Sequence, residues 1–362
     1  MINLTLYIFL LVAVIQLIIW IVVFSKLIGV ENVSTTSTYP PATIIICTKD
    51  RLDNLKSNLP YIHTQRYNGL FLLLVDDFSD ATIAQYIKKL QQKERYLKYY
   101  KVNTNFGGKK QALKEAIVNT ETEWMLLTDD DCRPQSDKWA ISMVSAALQS
   151  ESSIILGYSP YTVNKSWLSR WVHFEAWITG VQYLSYALSG IPYMGVGRNI
   201  LYNKNIISPK DIDAHSDLIS GDDDLTVNAI ARGDNTSINL SQESFVWTTP
   251  PSSIRAYINQ KIRHYSVSHR YKTRDKIAIS AYTLSHFGFF LMFFCLLFSD
   301  YWLIALSIYG IRMIIIMPIT YQLYKKMLSQ ITLWSFPIMD ILQAIYYLFF
   351  SFTFIFPKKK KW

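Results

Sequence analysis

Three carboxylates end the apolar stretch Trp124-Met125-Leu126-Leu127-Thr128-Asp129-Asp130-Asp131-Cys132. A short apolar run that stops at turn-forming residues is typical of a strand buried on both faces of a parallel sheet. Open sheets of this kind bind ligands at the carboxyl ends of their strands. Adjacent acids repel one another, and a hard divalent cation with oxygen ligands commonly offsets that repulsion. For this stretch taken alone, an acidic turn solvated by water is the alternative.

Two earlier apolar runs end in the same way. They are 42–47, followed by Thr48-Lys49-Asp50-Arg51, and 70–75, followed by Asp76-Asp77-Phe78-Ser79-Asp80. Helical spacing over 55–65 and 81–97 separates the three strands, so the pattern predicts a βαβ series. Right-handed crossovers place the loops after all three strands on one edge of the sheet. We therefore expect Asp50, Asp77 and the acids 129–131 to line one cleft.

The chain has more apolar sequence than a buried core needs, because half of its 362 residues are apolar and 15% are aromatic. Residues 2–24 carry no charge and are long enough to span the roughly 30 Å hydrocarbon layer of a bilayer. No basic residue precedes this run, so we expect an uncleaved anchor rather than a signal peptide. Further windows of spanning length lie at 277–298, 301–321 and 331–356. The sequence predicts one N-terminal and about three C-terminal membrane helices.

Basic residues beside the predicted spans indicate the orientation of the chain. Lys26 follows the first span, and a group of bases precedes the second: Arg255, Lys261, Arg263, Arg270, Lys272, Arg274 and Lys276. This distribution predicts a multi-pass protein of the inner (plasma) membrane whose middle region faces the cytosol. A fourth crossing would place the lysines 358–361 outside. We therefore expect 331–356, which contains Pro337 and Asp340, to lie in the interface or to re-enter.

The net charge of +9 is concentrated at the membrane flanks. Anionic lipid headgroups account for it better than nucleic acid does, and no RNA-binding motif accompanies it. Cys47, Cys132 and Cys295 have no metal-binding spacing, so they are predicted to be reduced thiols in a cytosolic setting. We expect a lipid bilayer as a partner and no nucleic acid.

The motifs of the middle region follow a recognisable order. They are Thr48-Lys49-Asp50, Val75-Asp76-Asp77-Phe78-Ser79, Asn105-Phe106-Gly107-Gly108-Lys109, Leu127-Thr128-Asp129-Asp130-Asp131, Ser220-Gly221-Asp222-Asp223-Asp224-Leu225 and Gln260-Lys261-Ile262-Arg263-His264. Over roughly 42–274 the chain resembles family 2 glycosyltransferases, which have the GT-A fold. The resemblance implies an α/β, Rossmann-like nucleotide-binding mixed sheet.

The predicted domains follow from this resemblance and from the apolar windows. They are an N-terminal anchor 1–28, a glycosyltransferase domain 40–276 with a donor half 40–135 and an acceptor half 136–276, C-terminal membrane segments 277–357 and a basic tail 358–362.

On the donor side, the resemblance implies a nucleotide pocket at the first two strand ends. Asp77 is similar to the carboxylate that accepts a hydrogen bond from the nucleotide base, and Thr48 and Asp50 would line the same pocket. Asp77 could instead be an Asx-turn cap on the helix that begins near Ala81, and Asp50 a simple helix cap. These residues are the predicted base-binding set.

Two further donor-side features concern the diphosphate. A Gly-Gly pair with lysines at a helix N-terminus can cradle phosphate, and the resemblance implies that Lys109 faces the donor diphosphate. Asp129 and Asp131 match the outer positions of the family's D-x-D motif, which presents acids to the nucleotide and to a divalent cation. Both Mg and Mn accept oxygen ligands. The implied cofactor is such a cation, and the implied donor substrate is a nucleotide-sugar.

On the acceptor side, Asp222 aligns with the family's general base if Ser220-Gly221-Asp222 replaces Thr-Glu-Asp. Gly221 then stands at the glutamate position, and Asp223 or Asp224 could share the role. A base beside a second carboxylate has a pKa raised toward neutrality, which suits proton abstraction. The alternative is an acidic N-terminus of a helix over 225–231, stabilised by the helix dipole.

Gln260 and Arg263 lie three residues apart on a predicted helix, so both can point to one side. They resemble the family's Q-x-x-R-W motif beside the acceptor and the leaving diphosphate, although His264 stands where the family has Trp. A solvated basic face over 255–276 is the alternative.

Two other stretches suit an acceptor that comes from the bilayer. The aromatic run 167–188 fits a membrane interface, and a buried core helix would look similar. The glycines of 195–199 allow close approach of an acceptor or form a plain tight turn.

The sequence predicts an inverting membrane glycosyltransferase that moves a sugar from a nucleotide-sugar donor to a lipid-linked or glycan acceptor in cell-envelope synthesis. The alternative is a nucleotidyltransferase-like or catalytically inactive nucleotide-binding membrane protein on the same fold. Asp222 and the pair Gln260 and Arg263 favour the first, because a nucleotidyltransferase needs no acceptor base at that place.

Overall fold

The structure, a computed structural model, describes residues 2–355 except 36–37, 93, 95, 104–107 and 219. The chain divides into two compact units. The helical unit comprises Met1–Val30, Val163–Ser189 and Pro251–Trp362. The sheet unit comprises Glu31–Thr162 and Gly190–Pro250.

The helices are α1 Ile2–Ile18, α2 Leu52–His63, α3 Ala81–Gln91, α4 Gly108–Asn119, α5 Trp139–Ser150, α6 Trp167–Leu188, α7 Pro209–Asp213, α8 Asp224–Ile230, α9 Ile254–Tyr265, α10 Thr273–Leu297, α11 Trp302–Lys326 and α12 Phe336–Ile355. The strands are β1 Ala42–Thr48, β2 Leu70–Asp76, β3 Leu97–Lys101, β4 Trp124–Asp129, β5 Cys132–Pro134, β6 Ile154–Gly157, β7 Ile200–Asn203, β8 Thr236–Asn239 and β9 Val246–Thr248. A π-helical turn Ile19–Val23 and a 3-10 turn Phe24–Gly29 continue α1.

The sheet unit is built on a mixed seven-stranded sheet in its described residues, with the order β3-β2-β1-β4-β7-β6-β8. The first four strands of this order are parallel, β7 is antiparallel to both of its neighbours, and β6 pairs with β8 in parallel. Thr48 is opposite Asp76, and Cys47 is opposite Asp129. The carboxyl ends of β1, β2 and β4 therefore lie at one edge, as the βαβ pattern predicted.

Apolar residues on both faces of the central strands hold the sheet in the core. Ile44 and Ile46 of β1 are buried in one cluster with Leu72 of β2, Leu126 of β4 and Leu55 of α2. Strands covered on both faces need continuous apolar sequence, which explains why the runs end only where the chain leaves the sheet. The predicted α/β mixed sheet and the four apolar helices are confirmed in the described residues.

One predicted element ends earlier than expected. Helical spacing predicted a helix over 81–97, but α3 ends at Gln91. Leu97 instead begins β3, where it pairs with Leu72 of β2. Pairing across the sheet therefore overrides a spacing that would also suit a helix.

Among its described residues, the helical unit contains four helices that are long and apolar enough to cross a membrane. They are Leu4–Gly29, Thr273–Leu297, Trp302–Lys326 and Leu333–Phe350. Helix α6 also belongs to this unit, and its aromatic residues are buried except Trp167, which is 56% exposed. The aromatic run is thus a packed helix of its unit, one of the two forms the sequence allowed.

A buried polar network joins the apolar helices. The guanidinium of Arg312 in α11 is fully buried and donates from both terminal nitrogens to the carboxylate of Asp340 in α12. Gln16 of α1 lies 3.5 Å from Arg312 Nη2 through its Oε1. His286 Nε2 of α10 lies 3.0 Å from the Asp340 carbonyl oxygen. Asp340 thus has a charged partner inside its own unit, so its charge does not require α12 to lie at the interface.

Candidate active site

Lys109 lies among three carboxylates at the carboxyl edge of the sheet. Its Nζ is 2.8 Å from Asp129 Oδ1, 3.4 Å from Asp222 Oδ2 and 3.8 Å from Asp223 Oδ2. Lys109 is the second residue of α4, Asp129 ends β4, and the other two acids precede α8. The fold therefore brings together four residues from three different sequence motifs.

The three consecutive acids after β4 do not face the same way. Asp130 is buried and accepts a hydrogen bond of 2.7 Å from the Thr48 hydroxyl, with Arg51 Nη1 3.4 Å away. Asp129 and Asp131 are more exposed, with 29% and 36% of their side chains accessible. Burial raises the pKa of Asp130 to about 6, although the Thr48 hydroxyl and Arg51 oppose the shift. The middle acid thus fastens the turn and leaves the outer two available to a ligand.

The outer acids fit a divalent cation. A carboxylate oxygen of Asp129, one of Asp131 and the Cys132 Sγ all lie within 4.8 Å of one another. The Cys132 thiol donates to Asp131 Oδ1 at 3.2 Å. Two carboxylates at this spacing are the hard oxygen ligands that Mg or Mn prefers, with the remaining positions open to water or phosphate. Among the described residues, the predicted metal pair therefore has suitable geometry.

Local charges hold Asp129 and Lys109 in their ionised forms. Burial alone would raise the pKa of Asp129, but Lys109, Arg198 and Arg51 outweigh it, and the pKa lies below its usual range. Burial opposes the charge of Lys109, but Asp129, Asp223 and Asp222 raise its pKa well above the usual value. The site therefore presents a permanent cation between the two acidic segments.

Asp223, in the segment before α8, has a raised pKa. Burial, followed by the charge of Asp222, raises its pKa to about 8 against the opposing effect of Lys109. The sequence predicted a raised pKa for a carboxylate that has a second carboxylate beside it, and Asp223 is such a carboxylate. Gly197 packs on the Asp223 carboxylate so closely that a Cβ there would lie 1.9 Å from Oδ1. Gly221 has φ +94, a left-handed conformation that favours glycine.

Other residues than Asp77 make the turn after β2. Asp76 is fully buried, accepting from the Ser79 amide at 2.7 Å and from the Tyr99 hydroxyl at 2.6 Å. Asp80 caps α3 by accepting from the Thr82 amide at 3.0 Å. The capping role considered for Asp77 is thus filled by its neighbours.

Asp77 instead faces the loop after β1. Its Oδ2 lies 3.3 Å from Lys49 Nζ, and burial raises its pKa despite that lysine. Asp50 joins the same two loops, since its amide donates to the Ser79 hydroxyl at 2.8 Å and its carboxylate accepts from the Asp80 amide at 3.1 Å. Asp50 also has a positive φ of 51°. The loops of the predicted base pocket are therefore tied to each other, and their role in binding stays a prediction.

Two predicted motifs cannot be placed at this edge. Gln260 and Arg263 lie on α9, which belongs to the helical unit. Residues 105–107 of the Gly-Gly motif lie outside the described residues, and so does the basic tail 358–362. Gly108, at φ +58, begins α4 directly before Lys109. The roles of Gln260 and Arg263 stay predictions.

Arg198 was not predicted as a site residue. Its Nε donates to the Ser159 hydroxyl at 2.8 Å, its Nη1 donates to the Tyr161 hydroxyl at 3.0 Å, and its charge acts on Asp129. The sequence drew attention to 195–199 for its glycines. An arginine that directly follows two closely spaced glycines and precedes a strand was the signal that could have identified it.

Comparisons with known proteins agree with this geometry. Residues 43–208 match the family model described as Glycosyl transferase family 2. No curated protein matches the sequence. A similar solved structure is the mannosyltransferase PcManGT from Pyrobaculum calidifontis in complex with GDP-Man and Mn²⁺, at 14% identity and a TM-score of 0.60, covering 98% of this chain and 99% of that one. S. aureus TarS 1-349 in complex with UDP-GlcNAc is 14% identical over 86% of this chain and 91% of that one, with a TM-score of 0.47. The first likeness shows that the fold is GT-A.

Proposed function

We propose that this protein is a membrane-bound inverting enzyme. Its residues 43–208 match the family model of glycosyl transferase family 2. It transfers a sugar from a nucleotide-sugar to a lipid-linked or glycan acceptor in cell-envelope synthesis. The observation that carries the proposal is the position of Lys109 between Asp129 and Asp222. The Lys109 ammonium lies 2.8 Å from an acid of the D-x-D motif and 3.4 Å from the candidate base. The residues proposed to act on the donor and on the acceptor are therefore only a few ångströms apart.

The donor would bind along the edge formed by β1, β2 and β4. In the proposal, Thr48, Asp50 and Asp77 line the base pocket, and Lys109 attracts the diphosphate. Asp129 and Asp131 would hold a divalent cation, Mg or Mn. When bound, that cation supplies charge that stabilises the leaving nucleoside diphosphate. The Mn²⁺ and GDP-Man of the Pyrobaculum calidifontis mannosyltransferase support this arrangement.

Asp222 would act on the acceptor. Burial and the charge of Asp222 favour the protonated form of Asp223, so in the proposal Asp222 is the carboxylate that takes the proton of the acceptor hydroxyl. The hydroxyl oxygen then bonds to the anomeric carbon as the bond to the diphosphate breaks. Direct displacement of this kind inverts the anomeric configuration. Gln260 and Arg263 complete the proposed set on the acceptor and leaving-group side.

The proposed cellular setting is the inner (plasma) membrane with the catalytic domain in the cytosol. Four apolar helices in the described residues support membrane attachment, and the bases over 255–276 support the orientation. The acceptor would then be a molecule held in or at the bilayer, and the donor a cytosolic nucleotide-sugar.

Donor hydrolysis by the purified full-length chain tests the proposal. The protein in detergent is incubated with Mn²⁺ and, separately, GDP-mannose, UDP-glucose, UDP-galactose and UDP-GlcNAc, and release of nucleoside diphosphate is measured. We expect turnover of at least one donor, lost in Asp131→Asn and retained in Asp137→Asn, whose carboxylate pairs with Arg66. Release of pyrophosphate from a nucleoside triphosphate and a sugar phosphate, without diphosphate release, would instead favour the nucleotidyltransferase alternative.

A further inference from the structure

One face of α9 is fixed by polar contacts buried within the helical unit. Tyr257, Lys261 and Tyr265 follow one another at four-residue intervals, so they form a single stripe along the helix. Tyr257 and Lys261 are at most 9% exposed. The partners of this stripe come from α6 and α12. The predicted acceptor-motif residues Gln260 and Arg263 lie on the same short helix.

The central contact is an ion pair between Lys261 and Glu175. Glu175, on α6, is 2% exposed, and one of its carboxylate oxygens pairs with the Lys261 ammonium. The other oxygen accepts from the Tyr346 hydroxyl at 3.4 Å and from the Thr179 hydroxyl at 3.2 Å. The carboxylate is thus shared between α9, α12 and its own helix.

The two tyrosines of the stripe extend this contact by one turn on each side. The hydroxyl oxygens of Tyr265 and Tyr346 lie 2.7 Å apart. The Trp171 indole donates to the Tyr257 hydroxyl at 3.0 Å. Three successive turns of α9 are therefore held, and Tyr346 of the last apolar helix takes part in two of the contacts.

The stripe determines which way the rest of α9 faces. With 3.6 residues per turn, Arg263 is about 160° around the helix from the middle of the stripe, and Gln260 is about 100° away. Arg263 is exposed, in agreement with this geometry. A rotation of α9 about its axis would move both residues while leaving the helix intact.

A buried ion pair is costly to desolvate and gives little net stability compared with apolar residues of the same volume. Its better-supported use is to fix one arrangement among several, because a mismatched charge cannot be buried. An apolar stripe on α9 would pack against α6 equally well but would tolerate rotation. The polar stripe does not, because Lys261 has to meet Glu175.

We propose that Glu175, Lys261 and Tyr346 are positioning residues that fix the rotation of α9, so that α12 sets the orientation of Gln260 and Arg263. This inference rests on the proposed function in one respect, the assignment of those two residues to the acceptor side. The last apolar helix would then take part in acceptor use as well as in membrane attachment.

The test uses the full chain with an apolar pair, Glu175→Leu with Lys261→Met, and the milder Tyr346→Phe. We expect kcat/KM for the acceptor to fall about tenfold or more in the double variant and about threefold in Tyr346→Phe. The Tm should stay close to wild type, because a buried ion pair gives little net stability compared with apolar residues. The matched control is Lys138→Gln, which breaks the exposed pair between Lys138 and Glu243.

A second measurement does not depend on catalysis. Arg263→Cys is introduced into a chain whose native cysteines are replaced by alanine, and its rate of reaction with a thiol reagent is followed. We expect that rate to change severalfold when Glu175→Leu and Lys261→Met are added. An unchanged rate together with wild-type acceptor kinetics overturns the positioning role. A changed rate in a chain that uses no nucleotide-sugar supports the positioning role and contradicts the proposed function alone.

Discussion

Gly197 lies directly against the carboxylate of Asp223, with no room for a side chain between them. A Cβ at position 197 would fall 1.9 Å from Asp223 Oδ1 and 2.0 Å from its Cγ. The close contact therefore holds one member of the acidic pair in place. It also explains why a glycine occupies this position. The sequence had left two reasons open for the glycines of 195–199, the close approach of an acceptor and a plain tight turn.

We expect Gly197→Ala to lower the rate of transfer by roughly 10² or more, because the methyl group displaces Asp223 and with it the candidate base. The measurement is the initial rate of sugar transfer at saturating donor. Gly310→Ala is the control, since among the described residues a Cβ at that position would meet no atom within 4 Å apart from its chain neighbours and its own helix backbone. Equal rates for both variants would contradict a role for the Asp223 position.

Asp131→Asn should abolish transfer with little loss of folding. The side chain is 36% exposed and its expected role is to bind the cation rather than to pack. Calorimetric titration of Mn²⁺ should show affinity in the wild type that is lost in the variant, while the Tm without metal stays nearly the same. Full activity of the wild type in a strong chelator would rule out the metal assignment.

Asp222→Asn and Asp223→Asn should separate the base from its neighbour. We expect Asp222→Asn to reduce transfer by roughly 10² or more with nucleoside diphosphate affinity nearly unchanged, because a general base acts on the acceptor. Asp223→Asn should retain more activity, since burial and the charge of Asp222 favour the protonated form of Asp223. The reverse order of activities would move the base to Asp223, and a large loss of nucleotide affinity in Asp222→Asn would place that residue on the donor side.

The stability of the protein should depend on pH through Asp223. Its pKa in the folded state is about 8, above the ordinary value of about 3.9 for an aspartate. Between these values the folded state binds more protons than the unfolded state, so stability falls as pH rises from about 4 to about 8. In chelator and detergent, the Tm of the wild type should drop more between pH 5 and pH 9 than that of Asp223→Asn. If the Tm of the wild type and of Asp223→Asn fell equally between pH 5 and pH 9, the raised pKa of Asp223 would be refuted.

Thiol labelling can test the predicted topology in a chain without native cysteines. The label for the sheet unit is placed at position 234 rather than 235, because Asn235 is buried and hydrogen-bonded to Arg232 and Ile230. We expect an impermeant reagent in intact cells to miss Asp234→Cys and to reach Asp300→Cys between α10 and α11. Labelling at position 234 in intact cells would contradict the predicted cytosolic orientation of the domain. Labelling of Trp362→Cys would mean that α12 crosses the membrane, and protection would mean that it does not.

Much of the donor side could be predicted from local sequence. The runs before Thr48, Asp77 and Asp129 predicted three strands and the edge where they end, because continuous apolar sequence followed by turn residues has few other interpretations. The presence of four apolar helices was equally clear from composition. Both predictions depend on patterns that are local in the chain, within runs of at most 26 residues.

The remaining features depend on partners distant in the chain. Nothing near Asp223 indicates that Gly197 will pack on it, and nothing near Asp340 indicates Arg312 as its partner. Without knowledge of Arg312, the sequence analysis treated Asp340 as a sign of an interfacial segment, because an unpaired acid avoids hydrocarbon. Long-range contacts of this kind require the fold before they can be seen.

The pair formed by Arg312 and Asp340 also constrains how the chain is made. A ribosome completes α11 before α12 has been synthesised, so for a time Arg312 has no acid to meet. In the membrane topology proposed above, an unpaired guanidinium of Arg312 would be costly inside hydrocarbon, and α11 would be stable across the bilayer only once the following helix arrives. Insertion of the C-terminal helices would then be a joint event, and a nascent chain that stops short of Asp340 should be a substrate for membrane quality control.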